Sequence, residues 1–228
     1  MSSAPSTVFS DADAVARYAE GPPRAVPGYH GILPMTRILL AERVGAQARV
    51  LVVGAGGGLE LEAFAKAEPG WEFDGVDPSA AMLDLAARRL GPLGDRVRLH
   101  EGYVQSVPEG PFDAATCLLT YHFVSVAERR AMNAEIHRRL KPGAPFVAMH
   151  LSVDDREGGR DRWMSRYQAF LVASGTPPES AAMTRQKVER ELTILTPDED
   201  EALLREAGFS GVSQFFMGFS FRGWVAYA

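Results

Sequence analysis

Apolar residues recur along this chain in two patterns, short unbroken runs and helical spacings. Residues 50–53 form an unbroken run rich in β-branched side chains, which is typical of a strand buried on both faces of a parallel sheet. Leu59, Leu61 and Phe64 follow at the spacing of a helix. Runs and helical spacings alternate over most of the chain, and this predicts an α/β fold with right-handed crossovers.

Strands and helices along the whole chain follow from the same patterns. Gly218 alone separates the last two predicted strands, so they must form a hairpin and the last strand runs antiparallel. The predicted strands cover residues 50–53, 71–76, 96–100, 112–119, 144–151, 211–217 and 219–227. The predicted helices cover residues 9–20, 29–44, 80–90, 127–140, 156–174, 179–191 and 197–207, with another starting at residue 59.

Two segments interrupt the alternation and predict the domain organisation. Residues 21–28 (GPPRAVPG) contain prolines that prevent a regular helix, so we predict an N-terminal arm over residues 1–28 and a single domain over residues 29–228. Residues 154–207 contain helical patterns without a clear strand. We predict that this segment forms a helical lid inserted after the fifth strand.

A glycine-rich turn joins the first predicted strand to the next helix. Gly54, Gly56 and Gly58 form G-x-G-x-G, whereas a dinucleotide fingerprint needs its third glycine at position 59, which is leucine. Glu60 and Glu62 would also repel a diphosphate at the start of the helix. A strand, a glycine turn and a helix make a binding crevice at the carboxyl end of the strand. A ligand without phosphate fits this crevice better than a dinucleotide.

Asp77 ends the second predicted strand, some twenty residues beyond the glycines. An acidic side chain at that place can accept hydrogen bonds from both hydroxyls of a ribose. Pro78 and Ser79 then begin a helix, so Asp77 could instead be only a helix-start residue. Together with the glycine turn, Asp77 favours a nucleoside ligand.

The composition is that of a globular protein. Of 228 residues, 46% are hydrophobic and 23% charged, and the net charge of −5 argues against nucleic acid as a partner. Cys117 is the single cysteine, which excludes an internal disulfide and fits a reducing compartment. Apolar runs stay shorter than the roughly 18 residues of a membrane span, and the polar N-terminus lacks a signal-peptide core. We therefore expect a cytoplasmic protein without membrane or metal partners.

Several segments between residues 9 and 227 together resemble the class I S-adenosylmethionine (SAM) methyltransferases. More narrowly, they resemble the carboxy-S-adenosylmethionine synthase branch and its small-molecule methyltransferase relatives. The resemblance implies a Rossmann-like seven-stranded sheet with an antiparallel terminal hairpin, SAM as cofactor, and methyl transfer to a small molecule. The matching segments are VPGY (26–29), VLVVGAGGG (50–58), GVDPSAAML (75–83), FDAATCLLTYHFV (112–124), LKPGAPFV (140–147), LREAGF (204–209) and FFMGFSFRGWVAY (215–227).

The resemblance also implies a cofactor site. Gly54, Ala55 and Gly56 would pass beneath the methionine part of SAM, and Asp77 would hold the ribose. Tyr29 would lie over the cofactor, although it could instead be a core aromatic residue. The remaining implied contacts are Pro78 and Met82 beside the adenine and Leu118 at the end of the fourth strand.

Three departures from the family pattern affect these expectations. Val52 stands where the family usually has an acidic residue, and Tyr103 with Val104 stands where an acidic residue usually contacts the adenine. Tyr103 would then stack on the adenine. Carboxy-SAM synthases grip the extra carboxylate with an arginine, and the nearest match is Lys187, with Arg185 close by. A lysine offers a point charge in place of the bidentate fork of an arginine, so we expect carboxy-SAM synthesis less than methyl transfer as the activity of this chain.

Catalytic and substrate residues are expected past the fourth strand and in the lid. Tyr121 and His122 are placed to act as a base, with His150 as an alternative; each could also be a hydrogen-bonded structural residue. Trp163, Tyr167 and Phe170 recur on one face of a helix. They predict either a pocket for a planar or carboxylated molecule or an ordinary amphipathic helix. Arg222 could face the same site.

The leading prediction is a methyltransferase that acts on a small molecule. One alternative is a carboxy-SAM synthase-like enzyme that uses a prephenate-like donor, and another is a SAM-binding protein without catalysis. A nicotinamide oxidoreductase is the least favoured. The N-terminal arm could reach a partner subunit, so a homodimer is an open expectation.

Overall fold

A seven-stranded sheet forms the centre of the computed structural model, which describes residues 21–228. The predicted helix over residues 9–20 and most of the predicted arm lie outside the described residues. The strands are β1 (Ala48–Val53), β2 (Trp71–Asp77), β3 (Val97–Glu101), β4 (Ala114–Leu118), β5 (Pro145–Leu151), β6 (Ser210–Gly218) and β7 (Phe221–Tyr227). Their order across the sheet is β3-β2-β1-β4-β5-β7-β6.

Eight α-helices surround the sheet within the described residues. They are α1 (Gly21–Ala25), α2 (Tyr29–Ala41), α3 (Leu59–Ala67), α4 (Ala80–Leu90), α5 (Val126–Arg139), α6 (Gly159–Ala173), α7 (Pro178–Glu191) and α8 (Pro197–Glu206). Ser125 caps α5 and Thr196 caps α8, each in a capping box with a glutamate three residues on. A short 3-10 turn, Tyr121–Phe123, follows β4.

The strand β1 lies at the middle of the sheet and is buried on both faces, as its unbroken apolar run predicts. It pairs in parallel with β2 and with β4, and Val52 lies opposite Thr116 in the register. Val50 and Val52 belong to the core layer formed with α2, α3 and α4, whereas Leu51 belongs to the layer formed with α5 and α8. This alternation follows from the two-residue period of a strand.

The terminal hairpin is confirmed, but its turn differs from the prediction. Phe219 and Ser220 form the turn, and β7 starts at Phe221 instead of Phe219. Phe219 has a φ of 52°, and such left-handed conformations match a two-residue turn to the twist of its strands. A single glycine is too short a link between antiparallel partners. The strand β7 runs antiparallel to β5, and the other strand pairs up to β5 are parallel.

The segment predicted as a lid, residues 154–207, divides between the two faces of the sheet. Tyr167 and Leu171 of α6 and Val188 of α7 join the core layer of β1 that contains Val52. Leu204 of α8 joins the opposite layer. The domain limits predicted from the sequence stay a prediction.

Within residues 21–228, no helix is both long enough and apolar enough to cross a lipid bilayer. Cys117 is a free thiol in the core, and burial raises its pKa well above the usual value. The thiol therefore stays protonated and inert.

Candidate active site

The glycine turn after β1 needs the backbone freedom of glycine. Gly54, Gly56 and Gly58 have φ values of 77°, 49° and 79°. A Cβ on Gly54 would collide with the side chain of Thr120, and a Cβ on Gly58 would lie 2.9 Å from the Cα of Ala86 in α4. Close contact with two neighbouring elements therefore adds to the conformational requirement.

The turn is anchored to β2 and α4 by hydrogen bonds. The amides of Gly54 and Ala55 both donate to the carbonyl of Val76, at 2.9 and 3.0 Å. The guanidinium of Arg89 donates from Nε to the carbonyl of Gly57 at 2.9 Å. The crest of the sheet is thus a rigid backbone cradle, and sequence patterns did not identify Arg89 as part of it.

Asp77 spans the space between this turn and the start of α4. The amide of Gly56 donates to its Oδ2 and the amide of Ser79 to its Oδ1, both at 2.9 Å. Burial raises the pKa of Asp77, while these two amide bonds act in the opposite direction. Each oxygen has a second lone pair. The carboxylate can therefore still accept from two hydroxyl groups, and it fits the ribose expected here.

The residues predicted to lie beside an adenine differ in exposure. Met82 and Val104 are buried, whereas Tyr103 is 50% exposed and Pro78 is exposed. The amide of Gly102 donates to the backbone carbonyl of Asp77 at 3.0 Å, which holds this loop against β2. The exposed ring of Tyr103 is therefore available for stacking.

Glu60 is a buried acid that the sequence patterns did not assign to the site. It lies on the first turn of α3 and is 7% exposed, and burial raises its pKa to about 7. Tyr29, half-buried at the start of α2, has a pKa raised to about 12, first by burial and then by Glu60. The available signal was spacing: Glu60 stands four residues before the buried Phe64 and so shares its helix face.

The chain leaves β4 in an unusual conformation. Leu118 is buried at the strand end, and Leu119 has a φ of 57°, which is rare for a residue with a side chain. The amide of Leu119 donates to the carbonyl of Met149 at 2.6 Å, and the hydroxyl of Thr120 donates to the carbonyl of Leu118 at 3.1 Å. Such strain is frequent at functional sites.

Tyr121 points away from the crevice. Its ring is fully buried in the core layer with α5, and its hydroxyl donates to Oδ1 of Asn133. Burial raises its pKa well above the usual value. The structure therefore does not bring Tyr121 to a place where it could accept a proton from a substrate.

His122 is buried next to the end of β5. Burial, and then the nearby His150 and Arg129, lower its pKa to about 3. The amide of Leu151 donates to its Nδ1 at 3.4 Å. A neutral ring that accepts at Nδ1 carries its proton on Nε2. His122 thus has a hydrogen-bond donor to offer, but not the free lone pair that a base needs.

His150 belongs to a charged network beneath α8. Its Nε2 lies 3.0 Å from Oδ1 of Asp200, and the guanidinium of Arg129 contacts the same oxygen at 2.5 Å. Arg129 also donates to the carbonyls of Tyr121 and Thr193, at 2.9 and 3.1 Å. This network joins α5, α8 and the turn after β4. Its contacts assign His150 to support of the fold and not to the role of a base.

Comparison with known proteins agrees with this geometry. Residues 50–143, which contain the glycine turn, Asp77 and β4, match the family model for a methyltransferase domain. Over residues 50–143 the chain therefore carries a methyltransferase domain. The family expected from the sequence, whose cofactor is SAM, and the expected sheet are thereby confirmed.

The methyltransferase has relatives over most of its length. The carboxy-S-adenosyl-L-methionine synthase of Chromohalobacter salexigens is 29% identical over 211 residues, covering 90% of this chain and 77% of that protein. The Campylobacter lari protein of the same name is 23% identical over 220 residues, covering 95% of this chain and 93% of that protein.

Solved methyltransferases share its fold. An O-methyltransferase family 2 protein from Planctomyces limnophilus in complex with apigenin has a TM-score of 0.68 at 17% identity, covering 99% of this chain and 63% of that one. Human N-acetylserotonin methyltransferase in complex with SAM has a TM-score of 0.64 at 14% identity, covering 96% of this chain and 57% of that one. This methyltransferase thus spans about three fifths of the length of these two structures.

Three of the predicted substrate residues lie on α6 or against it. Tyr167 packs edge-on against Phe221 at 6.0 Å and is buried, so it docks α6 on the hairpin. Trp163 lies against two guanidinium groups, Arg166 at 4.4 Å and Arg222 at 5.6 Å. Arg222 is itself buried opposite His150, with Nε and Nη1 lacking hydrogen-bond partners.

The other two predicted substrate residues are engaged on α7. Arg185 forms ion pairs with Asp161 at 2.5 Å and with Glu189 at 3.2 Å, and it donates to Ser165. Lys187 is exposed, 3.9 Å from Glu191. The contacts of Arg185 with Asp161 and Ser165 hold α7 to α6, whereas Lys187 and Glu191 both lie on α7. Neither residue has a contact with the glycine turn among these pairs.

Proposed function

We propose that this chain is an enzyme that transfers the methyl group of SAM to a small-molecule acceptor. The arrangement of Asp77 carries the proposal. Its carboxylate is held by the amides of Gly56 and Ser79 at the crest between β1 and β2, with a free lone pair on each oxygen. A backbone cradle beside a hydroxyl-binding carboxylate suits a nucleoside without phosphate.

The residues of the crest would hold SAM as follows. Gly54, Ala55 and Gly56 would support its methionine part, because a turn of this kind lets a ligand lie close to the backbone. Asp77 would accept from the ribose hydroxyls, and Met82 with Tyr103 would enclose the adenine. When bound, SAM supplies an electrophilic methyl group on a sulfonium. The protein then contributes alignment and exclusion of water.

The acceptor would approach from the side of α6. A groove of about 520 Å³ lies there, lined by Pro27, Gly28, Trp163, Arg166 and residues 216–219. Gly28 is adjacent to Tyr29, which neighbours Glu60 at the crest. The acceptor bound in this groove would have to reach toward the cofactor past Tyr29, and the aromatic lining of the groove favours a planar acceptor.

His122 would act in this site as a hydrogen-bond donor. Its low pKa keeps the ring neutral, and its Nδ1 is engaged with the amide of Leu151. The Nε2 proton could orient a polar atom of the acceptor. Since an acceptor with a low pKa needs no base, methyl transfer by proximity alone is consistent with this geometry.

The test is a binding and turnover experiment on the purified chain. We expect SAM to bind in calorimetry, and S-adenosylhomocysteine to accumulate by mass spectrometry when an acceptor from a panel of phenols and carboxylates is added. Tight binding of NADH without binding of SAM would contradict the proposal. Binding of SAM without turnover on a broad panel would favour the non-catalytic alternative.

A carboxy-SAM synthase-like activity is the second proposal, because curated relatives over most of the chain carry that name. The contacts of Lys187 and Arg185 with acidic neighbours on α6 and α7 weigh against it. Mass spectrometry of the ligand that co-purifies with the protein separates the two activities. A carboxylated sulfonium would favour the synthase, and unmodified SAM the methyltransferase.

A further inference from the structure

Glu60 is the most unusual acidic residue near the glycine turn. Its side chain is almost fully buried, and its Oε1 has no hydrogen-bond partner. A buried oxygen without a partner destabilises a fold, and it is usually retained for a ligand or a reaction. Glu60 stands two residues after Gly58, so this oxygen lies close to the cradle.

The side chain of Glu60 has polar neighbours on β4 and α2. It approaches Thr116 of β4, and Thr116 lies opposite Val52 of β1. Val52 is apolar, so β1 offers no polar side chain at this register. Glu60 also interacts electrostatically with Tyr29 of α2. Thr116 and Tyr29 are both neutral, so neither compensates a charge on the carboxyl group.

The titratable groups around Glu60 do not change their protonation state near neutral pH. Tyr29 from α2 has a pKa of about 12, and the pKa of Cys117 from β4 is raised further, so both stay neutral. Arg89 from α4 acts on Tyr29 and pairs with the partly buried Glu62, so its charge is shared with a second acid. Burial raises the pKa of Glu60 itself to about 7.

We propose that Glu60 binds the ammonium group of the cofactor's methionine part through its unpartnered oxygen and releases its own proton to solvent as that cation binds. The inference rests on the proposed function, in which the methionine part lies on residues 54–56. A cation beside a carboxyl group favours its ionised form. The O–H bond of Glu60 is the bond that breaks, and its proton passes to the buffer. The methionine carboxylate is then directed away from Glu60.

The test is proton release on binding of SAM, measured by calorimetry at pH 6 in two buffers with different ionisation enthalpies. An α-amino group, with a pKa of about 8, is already charged at that pH. We expect about one proton released per SAM by the wild type and close to none by Glu60→Gln. Glu62→Gln is the matched control: the pKa of Glu62 is lowered, first by Lys66, so this acid is already ionised and the release should be unchanged.

A second ligand distinguishes a failure of the role proposed for Glu60 from a failure of the proposed function. 5′-Methylthioadenosine lacks the ammonium group, so it should bind the wild type and Glu60→Gln equally well and release no proton, which also checks that the variant is folded. At pH 8, SAM should bind Glu60→Gln about tenfold more weakly than the wild type. Binding of SAM by the wild type without proton release would overturn the role of Glu60 and leave the proposed function intact. Failure of both ligands to bind the wild type would overturn the proposed function as well.

Discussion

Acidic side chains lie in two regions of this sheet, near β1 and β2 and near β5 and β7, in opposite electrostatic surroundings. Near β1 and β2, burial raises the pKa of Asp77 and of Glu60, and neither forms an ion pair within residues 21–228. Near β5 and β7, burial alone would raise the pKa of Asp200, but His150 and Arg129 lower it. Asp77 and Glu60 are thus without an ion pair within the described residues, whereas Asp200 is paired with both Arg129 and His150.

This difference separates binding capacity from structural support. An acid whose pKa is raised by burial, beside a cradle of backbone amides, still has hydrogen bonds and charge to offer to a ligand. The charge of Asp200 is already engaged with Arg129 and His150, and these contacts join α5, α8 and β5. The first region would thus respond to a ligand, and the second would hold the fold. Four predictions test the contrast.

The largest effect is expected in the paired region. Arg129→Met leaves Asp200 buried without its closest cation, and this should lower the free energy of unfolding by about 3–5 kcal/mol in chemical denaturation. The control is Arg130→Met, because Arg130 and its partner Glu206 are each 54% exposed. Arg130→Met should lower the free energy of unfolding by less than about 1 kcal/mol. Equal losses in the two variants would contradict a structural role for the network.

Glu60→Gln should raise the free energy of unfolding, whereas Arg129→Met should lower it. The folded state holds the proton of Glu60 up to a pH of about 7, whereas the ordinary pKa is 4.5, so the folded state binds more protons and stability falls as the pH rises between these values. The neutral amide removes this loss. Without ligand, the free energy of unfolding should rise by about 3 kcal/mol at pH 8 and change little at pH 4. A variant that is less stable than the wild type at pH 8 would show that the carboxylate is already satisfied.

Asp77→Ala should affect binding of SAM. The loss of the hydrogen bonds to the ribose should weaken SAM by about 1–3 kcal/mol in calorimetric titration. Asp84→Ala, at an exposed position of α4, provides a control that should leave the affinity unchanged. An unaltered affinity in Asp77→Ala would remove Asp77 from the site.

The smallest effect is expected for His122→Gln. A residue that only donates a hydrogen bond should lower kcat by about fivefold or less, and the pH–rate profile should show no change near neutral pH, since the pKa of His122 is about 3. Kinetics with a known acceptor would measure both. A loss of about a hundredfold or more, the range of a general base, would restore the catalytic role expected from the sequence.

Local patterns predicted the placement of the glycine turn and Asp77 at the crest because these parts are close in sequence. The glycine turn directly follows β1, and Asp77 and Met82 follow at fixed distances along the next strand and helix. Their roles depend on backbone conformation and on helix and strand periods, which short segments reveal. Glu60 was missed there because a glutamate on the first turn of a helix is usually exposed, and its burial depends on packing against β4.

By itself, the sequence determined the alternation of strands and helices, the crest between β1 and β2, and the terminal hairpin, because each follows from spacing within a few dozen residues. Tertiary structure decided the partners of charged side chains. Arg129 and Asp200 lie 71 residues apart in the chain, and Tyr121 turned toward Asn133 instead of the crevice. Hydrogen bonds and ion pairs between distant segments leave no period in the sequence, so their geometry appears only when the segments pack together.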